Sequence, residues 1–152
     1  MKVQWWKDAI NNVYHVAERV KGNKGELKNE DLPAHPVIQA AYDLLMEDIK
    51  LSKTLFAGLF RAHADQSLPM TIEDLERYGK DSLGSVMALT LECFFKDRKD
   101  ITQAQKLDLE HSIMHLAVAI SVFQLLRATP LHISRRVCFL PIQLLSKVCS
   151  II

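Results

Sequence analysis

Apolar residues return every three or four positions along almost the whole chain, and nowhere do they alternate with period two long enough for a strand. Val3, Trp6, Ile10, Val13, Ala17 and Val20 lay one apolar face along a first helix. From Lys21 to Pro33 the pattern dissolves into glycine and charge, which reads as a solvated connector. Pro36 suits the first helical residue of a second helix, with Val37, Ala40, Ala41, Leu44 and Leu45 as its stripe. A break near Lys50 follows, and Ser52 is placed to cap a third helix through Leu55, Leu59 and Phe60.

Two capping signatures organise the second half. Thr71 to Asp74 resembles a capping box with the shorter acid and opens a helix through Leu75, Val86, Leu89 and Phe94. Gly79 and Gly84 inside it lower helix stability, so close contact with another helix is expected there. Thr102 to Gln105 is the full box, starting a long helix expected to end near Arg127, with Pro130 as its stop. Pro141 begins one last short helix. The periodicity therefore predicts an all-α fold of five or six helices.

Length and composition narrow the class. A chain of 152 residues suits one domain, and 49% apolar with 24% charged residues is ordinary for a globular protein. A formal net charge of +1 without a basic stripe gives no case for nucleic acid. Three cysteines, Cys93, Cys138 and Cys149, lack CxxC spacing and fit a reducing compartment. The longest uncharged stretch surrounds Leu116 to Leu126, short of the ~20 residues a membrane span needs. Asp8, Asn11 and Glu18 spoil the N-terminus as a secretory signal or mitochondrial presequence, so any targeting segment lies upstream or is absent.

Candidate chemistry is sparse. His111 and His115 share one helix face and could form half a metal site, but no third ligand accompanies them and a surface pair is the heavier reading. Asp43 and Glu47 form an acidic i,i+4 pair on what reads as a solvated charged face, with Lys50 and Lys53 close by. Cys138 lies in an apolar stretch without an adjacent base, which favours packing over nucleophilic chemistry. No GxSxG, P-loop or dinucleotide glycine pattern occurs. Arg127, Arg135 and Arg136 could hold a phosphate or lipid headgroup bidentately. The alternative is that they neutralise carbonyls at the end of the long helix, which weighs more for Arg127 than for the other two.

The most informative segment is Leu126 to Pro141, LRATPLHISRRVCFLP. It resembles the second aspartate-rich motif of squalene and phytoene synthases, with Leu126, Arg127, Arg135, Phe139, Leu140 and Pro141 in place. Ala128 and His132 stand where that motif carries its two aspartates. Magnesium is a hard cation that takes oxygen ligands, so this substitution removes the metal chemistry. The complex I assembly-factor branch of that superfamily is more similar still. Gln4-Trp5-Trp6-Lys7, His35-Pro36-Val37, Ile72 to Tyr78 and Leu89 to Glu92 carry the resemblance, and His111 and His115 stand at the matching distance before Leu126.

The resemblance implies a partial isoprenoid-synthase-type bundle, a single incomplete domain over residues 1–152, read as a fragment or short isoform with Ser146 to Ile152 as a divergent tail. It implies a pseudoenzyme without cofactor or metal. It would work peripherally on the matrix side of the inner mitochondrial membrane, binding a nascent complex I subunit, another assembly factor, or a lipid or isoprenoid. An active prenyl-diphosphate transferase and a non-catalytic lipid carrier are the alternatives.

Overall fold

The computed structural model describes residues 2–23, 32–64, 69–98 and 100–149. Among these there is no strand, so the fold is all-α as the periodicity predicts. The helices are α1 (Lys2–Asn23), α2 (Pro36–Met46), α3 (Lys53–Ala64), α4 (Ile72–Gly79), α5 (Ser85–Phe95), α6 (Gln103–Ser134) and α7 (Ile142–Cys149). A π-helical turn, Lys80–Gly84, joins α4 to α5 in one rod, so the described residues make six rods. Most of the Lys21-to-Pro33 connector lies outside the described residues.

The core sits between α1, α2 and the segment after α2. Val13 and Ile38 are fully buried, and Ile10, Ala17, Tyr42, Ile49 and Leu51 pack around them. The Tyr14 hydroxyl donates to the Leu51 carbonyl at 2.7 Å. Burial, with a smaller push from Glu92, raises its pKa to about 12. His35 caps α2, its Nδ1 accepting from the Val37 N–H at 3.2 Å. Trp5 and Trp6 both meet its ring edge-on, so two widely separated motif segments converge.

The two capping boxes form as read, Thr71 with Asp74 and Thr102 with Gln105. The glycines do what their positions suggest. A Cβ on Gly79 would come within 3.1 Å of the Val118 Cα, and one on Gly84 within 2.8 Å of the Met114 sulfur, so α6 rides directly on the rod.

Four expectations change. The buried face of α2 runs through Ile38, Ala41 and Tyr42, while Val37 and Ala40 are exposed. Ser52 precedes α3, but its hydroxyl and N–H both donate to the Glu92 carboxylate and so anchor α5. Pro130 does not stop α6, which continues to Ser134. The carbonyl that loses a donor belongs to Leu126, on an exposed face where water can replace it. That extension also corrects the expectation that no segment reaches spanning length: by length and composition alone, α6 is the one helix among the described residues that could cross a membrane.

Candidate functional site

The extension of α6 past Pro130 builds the site. With the helix continuous, Ala128 and His132 are four apart on one face, in line with Ser121 and Leu125. That face looks across to α4 and α3, enclosing an open cleft of about 790 Å³. Leu125 from α6, Leu75 from α4, Met70 and Phe139 make it apolar, while Arg61, Arg77 and Tyr78 give it polar groups. The volume suits a drug-sized or chain-like ligand.

The turn after α6 closes one end. The Arg136 N–H bonds to the Ile133 carbonyl at 2.8 Å and the Val137 N–H to the His132 carbonyl at 3.0 Å. This is a Schellman ending, with Arg136 at φ 60° in the left-handed position that glycine usually takes. The chain then returns over His132, whose ring meets Phe139 edge-on at 4.8 Å, and Pro141 is fully buried. Gln143 ties the turn to the start of α4. Its N–H donates to the Met70 carbonyl, and its side-chain oxygen accepts from the Ile72 N–H, both at 3.3 Å.

The cleft's carboxylates are already engaged. Arg61 grips Asp81 with two parallel bonds, Nε at 2.7 Å and a terminal nitrogen at 2.8 Å, which raises the guanidinium pKa. Asp74 accepts from the Thr71 and Met70 N–H groups and pairs with Arg77. Bonds from Thr71, backbone before side chain, hold its carboxyl below the usual range. Among the described residues no three His, Cys, Asp or Glu side chains converge as a metal site.

A catalytic magnesium, which this motif would imply, does not fit the residues here. Ala128 offers no ligand, the His132 ring packs on Phe139, and Asp74 and Asp81 are committed to arginines.

The other candidates lie elsewhere. Arg127, Arg135 and Arg136 are exposed and none lines the cleft. Arg127 stands seven residues inside the helix end, while Arg135 and Arg136 occupy it, where positive charge is favoured. His111 and His115 stack on the surface with their Nε2 atoms 2.6 Å apart. Glu47 pairs with Lys96 at 2.9 Å, and Asp43 is exposed, so their face is the charged surface expected of it. Cys138 is half-buried. The Arg61–Asp81 fork escaped the sequence reading because twenty residues and a helix change separate its partners; the glycines flanking Asp81 were the only nearby signal.

The squalene/phytoene synthase family matches residues 1–150. A Dictyostelium discoideum relative, named as the complex I assembly factor 6 homolog of NADH dehydrogenase (ubiquinone), is 29% identical over 97% of this chain and 36% of its own length. The assembly factor 6 proteins of Mus musculus and Homo sapiens are 26% and 25% identical, over 93% and 95% of the chain and 36% and 37% of theirs. The chain thus spans about a third of the length of these relatives. No solved structure matches it.

Proposed function

This chain belongs to the squalene/phytoene synthase family, and we propose that it serves the assembly of mitochondrial complex I by binding, without prenyl transfer. The observation that carries this is the single face of α6. His132 lines the cleft and Ala128 shares its helix face, at the two positions where the resembling motif carries carboxylates for magnesium, and the cleft's own acids are held by Arg61 and Arg77. The cleft keeps its apolar lining, which suits an isoprenoid or lipid tail or an apolar helix of a nascent subunit.

The assembly-factor names of the relatives favour complex I as the client and the mitochondrion as the place. In this reading the chain works on the matrix side of the inner membrane, as the family resemblance implies. Attachment is peripheral in this reading, since a membrane-spanning α6 would have to leave its close contact on Gly79. Arg127, Arg135 and Arg136 stand outside the cleft as contacts for an acidic partner surface. The chain acts as one portion of a larger family domain.

The test is complex I abundance on native gels from cells lacking the protein. Selective loss of complex I is expected; normal complex I overturns the reading. Purified protein given farnesyl or geranylgeranyl diphosphate with magnesium should release no diphosphate above background, and metal-dependent release would restore the enzyme reading.

A further inference from the structure

The long helix α6 carries two apolar stripes, and the described residues cover only one of them. The inner stripe, through Met114, Ala117, Ser121 and Leu125, faces the α4–α5 rod and the cleft. Roughly half a turn away, Leu109, Leu116, Phe123, Leu126 and Ile133 are all between 42% and 63% exposed. Ser112, Ala119 and Pro130 fill the gaps between them, so the positions advance by alternating threes and fours over 25 residues. That is the spacing of a helix-to-helix seam, here about 36 Å long.

We propose that the outer stripe docks a second copy of this chain, α6 running antiparallel to α6 about a two-fold axis near residues 120–122. The stripe is self-complementary in that register. Leu116 lies opposite Leu126 of the other copy, Ala119 opposite Phe123, and Leu109 opposite Ile133, so each larger side chain meets a partner that fits it.

Charge selects the same direction. Asp108 and Glu110 stand at one end of the stripe and Arg135 and Arg136 at the other, and no acidic residue follows Glu110. None of the four makes an ion pair among the described residues. Antiparallel docking sets Asp108 of one copy on the same flank as Arg136 of the other and opposes the helix dipoles; parallel docking would stack two basic ends. A stable seam of this kind buries about 800 Å² per partner. This names an acidic partner for Arg136 and otherwise stands on the fold alone, so dimer state and complex I level fail separately.

Sedimentation equilibrium of the purified chain through the micromolar range is the experiment. A dimer is expected, and Leu116→Glu with Phe123→Glu should leave a monomer of unchanged helicity. Asp108→Arg should weaken the dimer several-fold, and adding Arg136→Asp should restore it. A monomeric wild type, or a dimer indifferent to these changes, overturns the proposal. So does a monomer that floats with phosphatidylglycerol vesicles and loses flotation with the seam changes, since the stripe would then belong to a bilayer.

Discussion

In α1, 22 residues bury six apolar side chains, among them Ile10, Val13 and Ala17, whereas α6 is 32 residues long and buries only Ala117. Both helices are rich in apolar residues, and the difference lies in what covers them. The first is wrapped by α2, α3 and the Ile49–Leu51 segment; the described residues cover α6 along one stripe only. A fully buried aliphatic side chain contributes roughly 1.5–3 kcal/mol, so the N-terminal core holds the fold while α6 contributes surfaces. Apolar periodicity reveals a helix's faces, and only tertiary structure says which are occupied.

Removing side chains from the two regions should expose the contrast most strongly. Ile38→Ala in the core should cost about 2–5 kcal/mol in urea melts. Phe123→Ala on α6, measured at low protein concentration, should stay within about 0.5 kcal/mol. Equal costs would mean that α6 is covered after all.

The seam between the regions should respond next. Gly79→Ala drives a methyl toward the backbone of Val118 and should cost about 1–3 kcal/mol from overpacking. Gly84→Ala crowds the movable Met114 thioether, with the Gly79 carbonyl and Ala117 at ordinary contact, and should end near neutral, offset by a helix-propensity gain of about 1 kcal/mol. Thermal melts of the two variants separate these outcomes.

At the far end of α6 the sign should reverse. Arg136→Gly relieves the left-handed backbone and should raise stability by roughly 0.5–1 kcal/mol. A loss instead would show that the arginine side chain anchors the turn.

Acid should act least, and through Asp74. Its folded carboxyl is depressed, so the stabilisation is present above the unfolded carboxylate pKa and is lost as pH falls through the folded value. Asp74→Asn should flatten the acid limb of the melting curve; an unchanged limb would assign it to other carboxylates.

The parts legible in the sequence were those with local causes. Capping boxes at Thr71 and Thr102 and the close approach at Gly79 and Gly84 rest on residues a few positions apart, and they formed as read. The phase of α2 misled because Ala40 and Ala41 serve either face equally well, and burial of Ile38 and Tyr42 decided it. Pro130 was read as a stop because its missing N–H is a local fact, whereas the packing of Leu125 and His132 that carries the helix onward is not. For the cleft, the Leu126-to-Pro141 motif pointed to His132 and Phe139. Its other wall, with Arg61 and Asp81, depends on three helices meeting, and the glycines flanking Asp81 are its only trace in the chain.

The most direct test of a binding cleft serving complex I is complementation of cells lacking the protein, with complex I abundance on native gels as the readout. Met70→Asp with Tyr78→Asp places charge in the cleft at two exposed positions and should leave folding intact. Wild type should restore complex I, and the stable double variant should not. Full restoration by that variant would contradict the account.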